Sequence, residues 1–540
     1  MPALSATRGL DIYHGSDPDK YARNIELFTY SGGSAGWNQK WTFDLCVTKL
    51  SGYKTFSAFD VGDADENQSE LFRSKMVAMG FTNVGTYKNK NSGGYVSAQT
   101  VKDIGQYSDI IYITGHASNY TNMWFQNSSG STMEYLCADS SVSSSNPKIG
   151  IGAMFLSGST TKTNSFWDKK TKWGILGQCS QFNYGSSQGA GNHWNGLNNA
   201  QIWARTLLGA GHRMHGYLGY YESAPPGAIH FDRLTKALNS MNAGFNLVTS
   251  WFQGHDTIFE RTNYAMLYNN ANYNDNMYNF TASQTPGTSY AIVLQRREGG
   301  TVAPVPFSSP SPSQNPNTVN FSQAVAMQGF DLQDRPLSQY QKTNINAMLS
   351  TNHFNNIHYE NDGSFEFQRE SGNRMEVTFN ENTAIAIAKQ KLNSARLLPD
   401  NNYRVSVDYL VQRTLTPESP DFGEPEIIQY NVYFYRTMNG YDVISDKDDG
   451  ILISIDNDGV TQMKYRWRDI VPKPTTYNIS SSALTNSKNK YSKTNVITGK
   501  VISSAYYYKD DAAMPVMVFD DDGDYTNSVF VDVFTGKVVQ

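Results

Sequence analysis

Two apolar runs of the sequence each end in small residues and then in a side chain that can do chemistry. The run that begins at Asp109 reaches His116, and the run that begins at Trp173 reaches Cys179. Short apolar runs bounded by turn residues predict buried strands of an α/β sheet. Because reacting groups of such sheets lie beyond the carboxyl ends of the strands, we expect His116 and Cys179 at the same edge.

A histidine beside a thiol is the arrangement that produces a thiolate nucleophile. In this interpretation Cys179 attacks an acyl carbon and His116 orients and moves the proton. The backbone N–H groups of Ala117 and Cys179 would then face the developing oxyanion. The alternative is a buried cysteine and a histidine that merely ends a strand, since cysteine is among the most buried residue types.

The pattern resembles the caspase-like cysteine peptidases, in which one buried strand ends in His-Gly and a later one in Cys. His116 and Cys179 are separated by 63 residues, against roughly 50 in caspases. The resemblance implies a mostly parallel sheet flanked by helices, with Cys179 as nucleophile and His116 as acid/base. Gly115 and Gln178 would support the pair. Ala117 stands where that group usually has glycine, and the caspase Gln-Ala-Cys signature is absent from the sequence around Cys179.

A longer stretch, about residues 100 to 225, resembles a family of secreted bacterial and fungal proteins with no assigned activity. The matching pieces are the Gly-His step, the apolar run into Cys179, and the segment from Trp203 to Tyr217. This second resemblance implies the fold more than the chemistry.

His212 and His215 lie in this stretch and invite a metal site. Three-residue spacing puts two histidines on one face only in a helix, and Gly211 and Gly216 argue against a helix there. We therefore expect one of the two histidines to support the site at the edge that carries His116.

Acidic clusters near the end of the chain are weak calcium candidates. Asp520, Asp522 and Asp524 alternate around Gly523, and a second cluster ends at Asp449. Calcium requires six to eight oxygen ligands, and no glutamate closes a twelve-residue loop here. Hairpin turns explain the same pattern, so the sequence predicts no cofactor other than a possible calcium ion.

Composition favours an extracellular protein without a nucleic-acid partner. Charged residues make up 17% of the 540, with 34 tyrosines and a net charge of −5, against roughly 25% charged residues in ordinary soluble proteins. No long basic run or bilayer-length apolar stretch is present, so neither nucleic acid nor a membrane span is expected. The first residues show no basic region followed by an apolar core, so no signal peptide is predicted there. We expect either an intracellular protein or one whose signal was removed, and we favour secretion.

Three cysteines leave two possibilities for the thiols. An odd number in a secreted protein leaves one over, so a Cys46–Cys137 disulfide with Cys179 free would suit a nucleophile. Three buried, reduced cysteines fit the sequence equally well.

The chain divides at a proline-rich segment, 299–317, which predicts a linker. Alternating strands and helices before it predict an α/β domain over residues 1–298, with helices at Glu70–Met79 and Ile229–Phe252 and a loop-rich insertion at 121–159. Residues 318–540 predict an α+β region.

This second half resembles PepSY-type modules, in which a helix packs on antiparallel strands. The matching segments are Tyr433–Val443, Ile451–Val460 and, more loosely, Val531–Lys537. One or two such modules are implied. They accompany secreted peptidases as propeptide or inhibitory parts, and also occur in envelope proteins that are not enzymes.

Two functions follow from these features. The first is a secreted cysteine peptidase or acyl-transfer enzyme that acts on a peptide or protein substrate through His116 and Cys179. The second is a structural or assembly protein of a cell surface or extracellular matrix, built on a catalytically silent caspase-like scaffold. Low charge and abundant tyrosine favour the second, because such surfaces self-associate readily.

Overall fold

The fold is taken from a computed structural model of the chain. The described residues are 5–6, 25–30, 37–43, 54–61, 68–88, 98–118, 122–126, 132–137, 148–150, 167, 170–182, 200, 203, 214–221, 224–225, 227–258, 264–281, 290–296, 323–349, 355–370, 375–399, 402–415, 423–445, 449–492, 501–509, 512–520 and 529–539. The predicted linker 299–317 lies outside them.

The first half contains fourteen strands and four α-helices among the described residues. The strands are β1 (Ser5–Ala6), β2 (Ile25–Tyr30), β3 (Trp37–Phe43), β4 (Thr55–Asp60), β5 (Thr82–Lys88), β6 (Ile110–Thr114), β7 (Ala117–Ser118), β8 (Asn122–Gln126), β9 (Thr132–Cys137), β10 (Lys148–Gly150), β11 (Trp173–Gly177), β12 (Gly216–Tyr220), β13 (Tyr264–Asn269) and β14 (Tyr290–Arg296). The helices are α1 (Gln68–Ala78), α2 (Ala98–Gly105), α3 (Gly227–Asn242) and α4 (Leu247–His255).

The second half contains twelve strands and three α-helices among the described residues. The strands are β15 (Val325–Gln333), β16 (Asn355–Tyr359), β17 (Phe365–Arg369), β18 (Tyr403–Leu415), β19 (Glu426–Met438), β20 (Tyr441–Ser445), β21 (Gly450–Asp456), β22 (Gly459–Arg466), β23 (Asp469–Ile479), β24 (Val501–Lys509), β25 (Ala512–Asp520) and β26 (Val529–Asp532). The helices are α5 (Gln339–Leu349), α6 (Glu381–Ser394) and α7 (Ser481–Ser492).

The protein is a mixed α/β structure, as the sequence predicts for its first half. The order across the first half of the main sheet is β5-β4-β6-β11-β12-β13-β14. The first five strands run parallel, and β13 and β14 are antiparallel to their neighbours. All residues of β6, β11 and β12 are buried, as expected for parallel strands covered on both faces.

Helices α1, α3 and α4 cover one face of this sheet. Alternate strand residues such as Phe56, Tyr112 and Ile175 join helix residues such as Phe72 and Trp251 in one apolar core. On the opposite face, Phe59 stacks on Tyr87 at a ring distance of 5.3 Å. The period-two alternation of the strands therefore supplies both layers.

The predicted helices are present with one difference. Helix α1 is followed by Gly80 at φ +85°, a normal helix stop, as predicted. The predicted stretch Ile229–Phe252 is two helices, α3 and α4, because Gly244 at φ +99° ends the first and Asn246 caps the second. The Asn246 side chain accepts the N–H of Thr249 at 2.6 Å.

The insertion after His116 contains more strand than the sequence suggests. Strands β7 to β10 form a separate four-stranded sheet. In it each strand pairs with its neighbour along the chain, in the order β10-β9-β8-β7. The prediction of a loop-rich insertion at 121–159 was therefore incomplete, because segments such as Thr132–Cys137 pair as strands.

The main sheet continues from the first half into the second. Strand β14 pairs antiparallel with β18, from Tyr290 opposite Leu415 to Arg296 opposite Tyr409. From β18 the order continues as β19-β21-β22-β17-β16. The regions on either side of segment 299–317 therefore share one hydrogen-bonded sheet.

Helix α4 also joins the two halves. The Gln253 side chain donates to the backbone oxygens of Arg369 and Thr461 at 3.3 and 3.4 Å. In return, Lys464 Nζ donates to the backbone oxygen of Gln253 at 3.1 Å and to that of Asp256. These groups are buried, so the contact is part of the interior.

Two helix-on-sheet layers make up the second half. Helix α6 packs on β19 and β21 through Ala384, Ala388 and Leu392. Helix α7 packs through Leu484 and Tyr491 beside the sheet β20-β24-β25-β26. Strands β15 and β23 form a two-stranded ribbon.

Buried ion pairs connect segments of the second half. Asp442 accepts from Arg404 at 2.7 Å, and Asp449 accepts from Arg436 at 2.7 Å and pairs with Arg468. Asp449, a member of the second acidic cluster, is therefore engaged by two guanidinium groups. No helix within the described ranges is long and apolar enough to cross a membrane.

Candidate active site

Three neighbouring strands end level with one another. In the parallel register, Asp60 of β4 lies opposite Thr114 of β6, and Thr114 lies opposite Gly177 of β11. Adjacent strands are about 4.8 Å apart. The chain segments that follow these residues therefore emerge side by side at the carboxyl edge of the sheet.

His116 and Cys179 occupy equivalent places on two of these segments. Each lies two residues beyond the paired residues Thr114 and Gly177. His116 is exposed and Cys179 is partly exposed. Both side chains are thus delivered to the same edge by adjacent strands, as the sequence predicts, and within the described residues Cys179 is a free thiol.

Gly115 allows the close approach of two chain segments just before His116. Its φ is +142°, and a β-carbon there would lie 2.0 Å from the backbone oxygen of Val61. The N–H of Val61 in turn donates to the oxygen of Thr114 at 2.9 Å. Only glycine fits this crossing, which sets the direction in which the chain leaves β6.

The turn after Cys179 is a strained one. Ser180 has φ +57°, a left-handed conformation that non-glycine residues adopt rarely. Strain of this kind persists only where the surroundings over-determine the backbone, and it concentrates at functional sites. In this protein the strained residue, Ser180, directly follows the candidate nucleophile, Cys179.

Side chains and backbone hold that turn in place. Gln181 Nε2 donates to the backbone oxygen of Cys179 at 3.1 Å, and Gln181 Oε1 accepts from Trp203 Nε1 at 3.2 Å. The N–H of Phe182 donates to the oxygen of Tyr220, the last residue of β12, at 3.1 Å. The backbone of Cys179 is thereby tied to the neighbouring strand.

The sulfur of Cys179 accepts a backbone hydrogen bond. The donor is the N–H of Ala224, 3.4 Å from Sγ, in the segment between β12 and α3. An N–H directed at sulfur stabilises negative charge that develops there, as in other charge-assisted hydrogen bonds. Ala224 could not be identified from residue types, because a backbone donor leaves no residue-type signature.

A buried polar network lies beneath the strand ends. Gln68 Oε1 accepts from Thr114 Oγ1 at 2.6 Å and from Tyr112 OH at 3.2 Å. Tyr112 OH is also 3.4 Å from His230 Nε2. Thr114 Oγ1 reaches the backbone oxygen of Gly177 at 3.3 Å, so the network connects the strands that carry His116 and Cys179.

Two buried histidines under this edge are neutral at ordinary pH. Burial lowers the pKa of His230 to about 4. Burial also lowers the pKa of His255 well below its usual value, despite a bond to the backbone oxygen of Trp251. Because that oxygen only accepts, Nδ1 of His255 carries the hydrogen and Nε2 accepts from Tyr220 OH at 2.7 Å.

Gln178 differs from every other amide side chain in the described part of the protein. It is fully buried, and neither its Oε1 nor its Nε2 has a hydrogen-bond partner there. The remaining amides with an unpartnered atom have only one such atom each. A buried donor or acceptor without a partner costs about 1–3 kcal/mol, so Gln178 calls for an explanation.

Ala117 begins a strand of the inserted sheet. It lies opposite Met123 in the antiparallel pairing of β7 with β8. The residue predicted to supply an oxyanion donor therefore belongs to a hairpin that starts directly after His116. Its side chain is partly exposed.

His215 lies at the other edge of the sheet, contrary to the expectation of a supporting role. It directly precedes Gly216, which pairs with Trp173 at the start of β11, about 13 Å along the strand from Gly177. Its Nδ1 is 2.5 Å from Asp275 Oδ2, which also accepts from Trp173 Nε1 at 2.9 Å. The strand delivers His215 to the amino edge, and His212 lies outside the described residues.

The remaining candidate groups are only partly described. Within the described ranges, no set of three or more His, Cys, Asp or Glu side chains is placed to hold a metal ion. Asp522, Asp524 and Cys46 lie outside those ranges, and Asp520 and Cys137 are described only as strand backbone. The calcium and disulfide predictions therefore stay predictions.

Comparison with known proteins adds no assignment. No protein-family model matches the sequence, and no curated protein is significantly similar to it.

Proposed function

We propose that the protein is a cysteine-dependent acyl-transfer enzyme of the peptidase type, with Cys179 as nucleophile and His116 as acid/base. The observation that carries this proposal is the pairing of Thr114 with Gly177 in adjacent parallel strands. It supports a geometry in which an imidazole and a thiol project from neighbouring strand ends, within reach of one substrate.

The chemistry proceeds in two steps. The sulfur of Cys179 adds to the substrate's acyl carbon, its proton passes to His116, and the leaving amine takes that proton as the C–N bond breaks. Water then attacks the thioester, His116 accepts a proton from the water and returns it to the departing sulfur. The N–H of Ala224 supports the charge on sulfur at the beginning and end of this cycle.

The strand order agrees with the resemblance on which the proposal draws. Numbered along the chain, β4, β5, β6, β11 and β12 are the first to fifth strands of the parallel part, and their order is 2-1-3-4-5. In such doubly wound sheets the crevice opens next to the strand where the order reverses, here between β4 and β6. His116 follows β6, so a caspase-like domain over the first half is supported.

The second half fits the resemblance to PepSY modules in a general way. Helix α6 on β19 and β21, and α7 on the sheet of β24 to β26, each give a helix on antiparallel strands. We extend the proposal to one or two PepSY-like modules and to secretion, for which low charge and abundant tyrosine are the support.

The alternative is a scaffold without catalytic activity, which the same composition favours. The two functions are separated by alkylating the native protein with iodoacetamide at pH 5.5 and locating the label by peptide mass spectrometry. We expect labelling of Cys179 at least about tenfold faster than that of an ordinary thiol, since an activated cysteine is largely thiolate at that pH. His116→Ala should abolish the advantage.

His358→Ala is the matched control, because His358 is exposed and pairs with Glu360 on the second half's surface. It should leave the labelling rate unchanged. Labelling of Cys179 no faster than that of an ordinary thiol would overturn the enzymatic proposal. The scaffold would then be tested by looking for filaments of the purified protein by electron microscopy.

A further inference from the structure

One buried carboxamide bonds to two chain segments of the proposed site. Gln68 is the first residue of α1 and is 4% exposed. Its Oε1 accepts from Thr114 Oγ1 at 2.6 Å, two residues before His116. Its Nε2 donates to the backbone oxygen of Gly227, the first residue of α3, at 3.5 Å. The side chain therefore connects the end of β6 with the start of α3.

The start of α3 lies close in sequence to the backbone donor of the thiol. The N–H of Ala224 is 3.4 Å from Cys179 Sγ. Only the pair Pro225-Pro226 separates Ala224 from Gly227 in the sequence, and a proline ring leaves the backbone few conformations. A bond that holds Gly227 therefore also limits where the Ala224 N–H can lie.

The beginning of α1 is itself anchored to the sheet. Ser69, the residue after Gln68, bonds twice to Asp60 at the end of β4, with its N–H 2.9 Å from Oδ1 and its hydroxyl 2.5 Å from Oδ2. Asp60 lies opposite Thr114 in the sheet. The Gln68 oxygen also accepts from Tyr112 OH at 3.2 Å. The carboxamide of Gln68 therefore lies at a defined point between β6 and α3.

The connection uses both polar groups of the carboxamide. The hydroxyls of Thr114 and Tyr112 donate to Gln68, so an acceptor oxygen is enough for them. The backbone oxygen of Gly227 only accepts, so it requires the Nε2 donor. Glutamine supplies both groups in one side chain, whereas methionine, of similar length, would fill the space without linking β6 to α3.

We propose that Gln68 is a positioning residue of the acyl-transfer site, which holds the Ala224 N–H where it stabilises the Cys179 thiolate. This inference rests on the function proposed above. An N–H directed at sulfur favours the charged form and so lowers the pKa of the thiol. In this role Gln68 acts through Gly227 and Ala224 rather than on the substrate.

The inference is tested by the pH dependence of alkylation. The rate at which Cys179 reacts with iodoacetamide is measured by peptide mass spectrometry between about pH 5 and 9, because the thiolate is the reacting form and the midpoint of the curve reports the thiol pKa. The proteins are the wild type, Gln68→Met, Gln68→Asn and Gln106→Met. Gln106 is the matched control, since it is also 4% exposed but bonds to the backbone oxygen of Asp103 in α2, ahead of the opposite, amino end of β6.

We expect Gln68→Met to move the midpoint up by about one pH unit, which makes labelling about tenfold slower at pH 5.5 and leaves the rate above the midpoint unchanged within about twofold. A loss of folding would instead change the rate at every pH, so the shift of the midpoint separates positioning from stability. Gln68→Asn keeps the amide but is one methylene shorter, so it should not span Thr114 and Gly227 together and should give a similar shift. Gln106→Met should leave the midpoint at its wild-type position.

Three results overturn the inference. One is a low wild-type midpoint that a folded Gln68 variant retains, in which case the acyl-transfer function stands without this role for Gln68. Another is an equal shift in Gln106→Met, which would assign the effect to buried amides in general. The third is a wild-type midpoint at the ordinary thiol value of about 8.5, which removes the proposed function and this inference together. If Gln68→Met does not fold, Gln68→Asn decides the first two.

Discussion

His230 packs directly against the backbone of Gly177. A β-carbon on Gly177 would lie 2.6 Å from Cε1 of the His230 ring, well inside van der Waals contact. Helix α3 therefore approaches the end of β11 only because residue 177 has no side chain. The same helix follows the segment that donates the Ala224 N–H to Cys179, so its placement and that of the thiol are linked.

Gly177→Ala should disturb both the fold and the thiol. The added methyl group forces His230 or the strand end to move, and such overpacking costs about 1–3 kcal/mol. We expect that loss in the free energy of unfolding measured in urea, together with slower alkylation of Cys179. Gly423→Ala is the control, because the nearest atom to its β-carbon is 3.4 Å away. Equal stability of the two variants would contradict the packing described.

Gly115→Ala should be the more damaging glycine substitution before His116. Here a left-handed φ of +142° is combined with a clash against the Val61 oxygen at 2.0 Å. Gly80→Ala separates the two effects, since Gly80 has φ +85° but open space around its β-carbon. We expect Gly80→Ala to cost about 1 kcal/mol and Gly115→Ala clearly more, by thermal or urea unfolding. If Gly115→Ala and Gly80→Ala lose similar amounts of stability, backbone strain accounts for the whole effect and the clash with Val61 for none of it.

The buried histidines should make the protein unstable in acid. The unfolded chain binds a proton on His230 from its ordinary pKa of 6.5, but the folded chain binds it only near pH 4. The unfolded state therefore binds more protons in that window, and the free energy of unfolding falls as the pH is lowered from about 6.5 to 4. The His230 contribution is about 3 kcal/mol at most.

His230→Gln tests this origin of the acid sensitivity. The variant keeps a polar group near Tyr112 but has no imidazole to titrate, so stability should fall less between pH 6.5 and 4 than in the wild-type protein. His255 also has a lowered pKa and contributes to the remaining fall. His358→Gln, at an exposed site, should follow the wild-type curve. A His230→Gln curve parallel to the wild-type one would exclude His230 as a source.

Lys464→Met should weaken the junction between the two halves. Its Nζ donates to the backbone oxygens of Gln253 and Asp256 at the end of α4, and methionine leaves both without that donor. The Gln253 oxygen also accepts from Gln462 Nε2 at 3.1 Å, so the substitution removes two buried hydrogen bonds without leaving both oxygens unpaired. We expect a loss of about 1–3 kcal/mol in one cooperative unfolding transition. Lys473→Met, at a surface ion pair with Asp331, should leave the unfolding curve unchanged. Separate unfolding of the two halves would contradict a shared interior.

Much of the fold was predictable because its signals are local. The apolar runs that precede His116 and Cys179 are buried strands, and Gly80 follows the end of a helix as its position suggests. The sequence pattern did not reveal the break between α3 and α4, because apolar residues recur at helical spacing on both sides of Gly244 and Asn246. The pairing of β14 with β18 has no local signal at all, because register between strands so far apart in sequence is decided by the packed structure.

The sheet edge that carries His116 and Cys179 was predictable from the sequence, and the groups that surround it were less so. His230 and Gln68 come from helices and carry no motif, and Ala224 contributes only its backbone. One signal was present: glycine in a buried strand marks a close approach, and Gly177 is where His230 packs. Of the two histidines considered for a supporting role, His215 lies at the amino edge, because its spacing from His212 says nothing about which end of a strand it occupies.

The shared sheet has a consequence for how the chain is made. Arg296 on β14 finds its partner Tyr409 only after roughly a hundred further residues have left the ribosome, and at about 5–20 residues per second that takes about 5–20 s. During that interval the newly made β14 presents an open strand edge, which is a site for wrong pairing with other chains. A nascent chain released before β18 is made would carry both His116 and Cys179 but would keep the open edge of β14 and remain prone to aggregation. Synthesis as far as β18 is therefore needed to cover that edge.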